Sequence, residues 1–156
     1  MKRISLLFLQ AVVIIIAITA FAVLMLIPLT EGRAKHLDLL SIYLDPFILY
    51  GYTTSIAFFI GLYKTFKLLG YVKQNRTLSI DTMKAIKAIK YCAIVLSILV
   101  VGAGIFIKIT HSKEDDPAGF LAICGVVTLA SILVVFTVSK FEKQLQNALD
   151  KVKLKK

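Results

Sequence analysis

Four apolar runs divide this chain, at residues 4–27, 47–63, 91–107 and 120–139, and the polar intervals between them differ in character. The first run has 24 residues and is interrupted only by Ser5, Gln10 and Thr19. As a helix rising about 1.5 Å per residue it crosses a hydrocarbon core of roughly 30 Å. Pro28 predicts its end. Ala20-Phe21-Ala22 has the small-x-small form of a signal-peptide cleavage site. The chain stays apolar from Val23 to Leu29, however, and the run is too long for a signal h-region, so an uncleaved span is expected. The second run carries a polar band, Thr53, Thr54 and Ser55. Tyr50, Tyr52 and Tyr63 lie towards its ends, where amphipathic rings favour the headgroup layer. Its helix is expected to continue through Leu68 and Leu69. Gly102 and Gly104 in the third run make room for a close neighbour. Thr128, Ser131 and Thr137 are the internal hydroxyls of the fourth. With flanking turns included, the spans are expected over about 4–27, 47–69, 84–109 and 120–139.

The intervals supply the rest of the organisation. Residues 64–90, KTFKLLGYVKQNRTLSIDTMKAIKAIK, form a basic waist carrying Lys64, Lys67, Lys73, Arg76, Lys84, Lys87 and Lys90 against one acid, Asp81. Gly70 and the Gln74-Asn75-Arg76 cluster predict a turn. Ser79 is a good N-cap, and Asp81 in the following first turn complements the helix dipole. In the loop over residues 30–46, Leu37, Leu40, Tyr43 and Leu44 recur at helical spacing and predict a short interfacial helix. Residues 108–119 form a short second loop. In the tail, residues 140–156, Phe141, Leu145, Ala148, Leu149 and Val152 line one face and lysines crowd the others. That pattern predicts a basic amphipathic helix lying along a membrane leaflet.

Composition agrees with a membrane protein. Of the 156 residues, 58% are hydrophobic and 18% charged, against soluble norms of about 45–50% and about 25%. The charge distribution then predicts the orientation. Fifteen of the nineteen basic residues fall in the N-terminal pair Lys2 and Arg3, the waist and the tail. The other four, Arg33, Lys35, Lys108 and Lys113, fall in the two loops, with Glu31, Asp38, Asp45, Glu114, Asp115 and Asp116. The positive-inside rule therefore places both termini and the waist in the cytoplasm. The expected fold is all-α: four transmembrane helices arranged as two hairpins, a multi-pass protein of the bacterial cytoplasmic membrane.

A net charge of +10 also fits a nucleic-acid binder, but the bases hug helix ends, few aromatics lie among them, and no finger spacing or RNP motif occurs. No nucleic acid is expected. Anionic headgroups on the cytoplasmic side are the expected counter-charge, at about 1 kcal/mol per basic residue near the surface. The lipid-facing bases would be Lys64, Lys67, Lys73, Arg76, Lys84, Lys87, Lys90, Lys140, Lys143, Lys151 and Lys153.

Catalytic chemistry has little to build on. No Asp, Glu, Lys, Arg or His lies within an apolar run, where such groups mark proton and ion paths. His36 and His111 stand alone in their loops, so no metal site is expected despite Asp38, Asp115 and Asp116 nearby. Cys92 and Cys124 lie inside apolar runs and read as small packing residues. No nucleophile elbow, phosphate loop or Cys-x-x-Cys occurs. No enzyme activity and no cofactor are expected.

The stretch Gly61-Leu62-Tyr63-Lys64-Thr65-Phe66-Lys67-Leu68-Leu69, followed by Leu78-Ser79-Ile80-Asp81 and Lys84-Ala85-Ile86-Lys87-Ala88-Ile89, resembles a bacterial family of small four-span membrane proteins catalogued as a domain of unknown function. In that family a lysine-rich helix end leads to a Phe-Ser-x-Glu-like start. Here Leu78 and Asp81 stand in place of the phenylalanine and the glutamate. Members are often encoded beside a small helix-turn-helix regulator. The resemblance therefore implies a membrane or cytoplasmic regulatory partner and supplies no catalytic residue. The expected role is non-enzymatic regulation or interaction through the basic cytoplasmic segments. The alternative is a subunit of an oligomeric channel or transporter, a homo-oligomer whose path would use Thr53, Thr54, Ser55 and the fourth-span hydroxyls.

Overall fold

The computed structural model describes residues 2–30, 44, 46–110 and 118–154. They form four helices, α1 Lys2–Thr30, α2 Pro46–Lys73, α3 Ile80–Thr110 and α4 Ala118–Leu154. All four are long and apolar enough to cross a membrane, and the all-α four-span architecture stands. The interfacial helix expected near residues 37–44 falls mostly outside the described residues. So do His36, His111 and the loop acids Glu31, Asp38, Asp45, Glu114, Asp115 and Asp116.

Two residues expected to break helices do not. Pro28 lies within α1, which runs on to Thr30. A proline here forfeits the bond to the Leu24 carbonyl and crowds it, but only two residues of helix follow, so little of α1 depends on that turn. Gly70 lies inside α2, which continues to Lys73. A Cβ there would come 3.9 Å from Gln10 Nε2 of α1. The single in-run amide of α1 thus faces α2 at the basic end of the bundle.

The helices pack in a row. α3 is central, with α4 and α2 as its main neighbours, and α1 lies against α2. Phe21 of α1 meets Phe59 of α2 edge-on, ring centroids 6.4 Å apart. Much of the rest of α1 is exposed: Ile4 is 74% exposed and Phe8 69%. Such a surface would be intolerable in water but matches lipid tails.

The two glycines of α3 accommodate different helices. A Cβ on Gly102 would lie 3.1 Å from the Tyr50 hydroxyl of α2, which donates a 2.7 Å hydrogen bond to the Leu99 carbonyl. Tyr50 is thus tied to α3 by its hydroxyl rather than reaching to the headgroups. A Cβ on Gly104 would meet Leu121 and Cys124 of α4 at 3.6 and 3.8 Å. Further along, Gly61 of α2 faces Cys92 of α3 at 3.4 Å.

Six hydroxyls in the second and fourth spans satisfy themselves locally. Thr53, Thr54, Ser55, Thr128, Ser131 and Thr137 each donate to the carbonyl four residues back, at 2.7–3.0 Å. In a membrane this spares a donor from facing hydrocarbon without a partner.

Candidate functional site: a basic helical head

Three helices overrun their apolar runs, and all do so at the same end. α2 continues ten residues past Tyr63, α3 begins eleven before Tyr91, and α4 continues fifteen past Ser139. A span needs about 20 residues, whereas α3 has 31 and α4 has 37. The surplus turns form a head that carries the waist and the tail.

The turn joining α2 to α3 is locked by local chemistry. Asn75 adopts φ 56°, the left-handed conformation that closes helix C-termini. The Asn75 N–H donates to Val72 O at 3.2 Å and the Arg76 N–H to Tyr71 O at 3.0 Å, a Schellman closure with asparagine in the usual glycine position. Ser79 caps α3 as expected: its Oγ accepts the Thr82 N–H at 3.2 Å. Thr82, 2% exposed, completes the lock. Its hydroxyl donates to the Arg76 carbonyl at 2.9 Å, which leaves Ser79 Oγ–H as the donor in the 2.9 Å contact between the two hydroxyls. A buried polar side chain in this position is affordable because each of its bonds is made.

Beyond the turn, α3 buries Thr82, Ala85, Ile86, Ile89 and Ala93. The positions 82, 86, 89 and 93 alternate steps of four and three, the spacing of a coiled-coil seam. α4 shows the same spacing in its half-buried Val138, Glu142, Leu145 and Leu149. Lys90 Nζ pairs with Glu142 Oε2 at 3.0 Å, the two side chains 31% and 17% exposed. This pair sets an antiparallel register in which Ala93 is level with Val138, Ile89 with Glu142, Ile86 with Leu145 and Thr82 with Leu149. The tail is an unbroken extension of α4, joined to α3 through Lys90 and Glu142. On its apolar face Leu145 and Leu149 are half-buried, while Phe141 and Val152 stay exposed. A neighbouring apolar stripe of matching period is a better partner than lipid headgroups for residues lying beyond the hydrocarbon core.

The bases assigned to lipid divide accordingly. Lys67, Lys73, Arg76, Lys84, Lys87, Lys140, Lys143 and Lys151 are exposed. Lys64 is half-buried, and Lys67 Nζ lies 5.8 Å from the Tyr63 ring centroid. Lys90 is turned inward to Glu142 and is not a free contact for headgroups. The side chain of Lys153 lies outside the described ones. The sequence reading missed the Glu142 partner, although an acid within a lysine-rich tail and a lysine in a buried stripe were its visible signals.

At the opposite end, Pro46, Phe47, Tyr50, Gly102, Ala103 and Phe106 line an apolar cleft of about 340 Å³. Phe47 stacks on Phe106 and tilts against Phe120, centroids 6.3 and 5.6 Å apart. Among the described residues no group of acids, histidines and cysteines could hold a metal.

Four membrane-crossing helices, three of them prolonged into a basic head, define a multi-pass integral membrane protein. The chain belongs to the family described as protein of unknown function DUF2975, which it matches over residues 28–155, from the end of α1 through α4. It is also 32% identical over 152 residues to the uncharacterized membrane protein YoaS of Bacillus subtilis (strain 168), an alignment covering 96% of this chain and 94% of that one. No solved structure matches the chain.

Proposed function

We propose that this protein has a non-enzymatic regulatory or interaction role, in which the head stands on the cytoplasmic side, grips anionic lipid and presents a surface to a protein partner. The observation that carries this reading is the head itself. Three helices are prolonged at one end, packed through a buried seam, and left with eight exposed bases. Prolonged and capped helices with a core of their own build a rigid platform beyond what crossing a bilayer requires. The orientation follows from the fifteen-to-four division of bases. A channel path through Thr53, Thr54, Ser55 and the α4 hydroxyls finds no support, because each donor is returned to its own helix.

Two measurements test the reading. Single cysteines at Asn75→Cys and Glu114→Cys, with Cys92 and Cys124 replaced by alanine, report orientation. Residue 114 should label with an impermeant reagent in intact cells and residue 75 only after lysis; the reverse result refutes a cytoplasmic head. Native mass spectrometry of protein extracted from mixed bilayers reports lipid preference. Wild type should retain phosphatidylglycerol over phosphatidylcholine, and the variant Lys87→Gln/Lys140→Gln/Lys143→Gln should lose that preference. Equal retention of both lipids by wild type refutes the lipid grip.

A further inference from the structure

The far tip of the head is apolar where apolar residues have no membrane to enter. Leu78 and Ile80 flank the Ser79 cap and are 56% and 68% exposed. Val152 of α4 is 52% exposed, and the register set by Lys90 and Glu142 places it level with Ser79. Ile80 precedes Tyr91, where the apolar run of α3 opens, by eleven residues, or about 16 Å of helix. The headgroup layer is only about 5–8 Å deep on each side of the hydrocarbon core. With the hydrocarbon boundary set at Tyr91, the tip stands in water, about a Debye length beyond that layer, where lipid does not cover it.

The surroundings define the partner. Lys73, Arg76, Lys84 and Lys151 are exposed on the turns that meet at the tip, with Asp81 and Asp150 as the exposed acids there. Four bases against two acids leave a positive rim around aliphatic side chains. A small apolar centre within a charged rim is the anatomy of a protein-docking site, and the sign of the rim selects an acidic partner. The Schellman closure and the Ser79–Thr82 lock hold the backbone on either side of Leu78 and Ile80, which lowers the ordering cost of docking.

We infer that the α2–α3 tip, centred on Leu78 and Ile80 with Val152, docks a short acidic segment of a water-soluble protein that offers its own aliphatic side chains. This rests on the interaction reading above and names its site and partner class.

The test uses the full-length protein in nanodiscs of zwitterionic lipid. The probe is a fluorescent synthetic helix with glutamates on one face and leucines on the other, and binding is read by anisotropy against empty nanodiscs. Wild type should bind it, more weakly as salt rises. Leu78→Ser/Ile80→Ser should weaken binding at least tenfold, while Lys108→Gln, at the opposite end of α3, should change it less than threefold. Equal binding of a scrambled peptide of the same composition overturns the site. So does an equal loss of binding in Lys108→Gln, which leaves the broader interaction reading in place. A nitroxide at Ile80→Cys should collide more often with a water-soluble nickel chelate than with oxygen. Preferential collision with oxygen places the tip in the membrane and overturns the docking site.

Discussion

The contact between Gly102 and Tyr50 allows a test in which a substitution changes sign with its background. Adding a Cβ at Gly102 sets a carbon 3.1 Å from the Tyr50 hydroxyl oxygen, so that oxygen must retreat by a few tenths of an ångström. The hydroxyl is held by a 2.7 Å bond to the Leu99 carbonyl, and retreat strains or breaks it. Interhelical hydrogen bonds in membranes are worth about 0.6 kcal/mol on average and up to about 1.7 kcal/mol. Against this, alanine is favoured over glycine inside a helix by about 0.5–1 kcal/mol. In wild type the two effects offset, and Gly102→Ala should be neutral or destabilising by less than about 1 kcal/mol. In a Tyr50→Phe background the obstructing oxygen is gone, and the same substitution should stabilise by about 0.5–1 kcal/mol. The four proteins are compared by equilibrium unfolding in mixed detergent–dodecyl sulfate micelles followed by circular dichroism. Additivity within about 0.5 kcal/mol would refute the claim that Gly102 exists to seat Tyr50.

The lock at the waist gives a second expectation. Thr82→Val keeps the shape and removes two hydroxyl-mediated bonds, costing about 1–3 kcal/mol in the same assay, whereas Ser79→Ala should cost about 1 kcal/mol as a lost cap. For the Lys90–Glu142 pair, half-screened by its exposure, a double-mutant cycle to alanine should give a coupling near 1 kcal/mol that shrinks as salt rises; a salt-independent coupling would mean that packing and not charge joins them. Ser97 Oγ is buried without a hydrogen-bond partner, so Ser97→Ala should leave stability unchanged or raise it, and a loss above about 1 kcal/mol would reveal a bond this account lacks.

How much of this was legible in the chain depended on the range of the interaction. That there are four spans follows from lengths of apolar sequence against a fixed bilayer thickness, and the four helices were readable from it except at their prolonged ends. The Ser79 cap was readable because capping is local chemistry between residues three apart. Pro28 and Gly70 misled because a breaker acts on one hydrogen bond or on chain entropy, and the neighbouring turns outweigh it. The tail was legible only as a helix. Phe141, Leu145, Leu149 and Val152 announce an apolar face, of which Leu145 and Leu149 are half-buried and Phe141 and Val152 exposed, and periodicity alone does not say what lies against each. The matching stripe at Thr82, Ile86, Ile89 and Ala93 lies some fifty residues away in the sequence. The partners of Gly102 and Gly104 were hidden in the same way, since a missing side chain signals closeness without naming the neighbour.

The central claim is that the tail and the first turns of α3 form one packed head. Nitroxides at Ile80→Cys and Lys151→Cys, with Cys92 and Cys124 replaced by alanine, measure it by double electron–electron resonance in nanodiscs. The two positions are level in the register of the Lys90–Glu142 pair, and packed helices lie about 8–10 Å apart axis to axis. A narrow distribution centred at about 20 Å, label length included, is the expected result. A tail laid along the leaflet would carry residue 151 about 16 Å sideways while residue 80 stays about 16 Å above the membrane. A broad distribution beyond about 30 Å would therefore contradict the head.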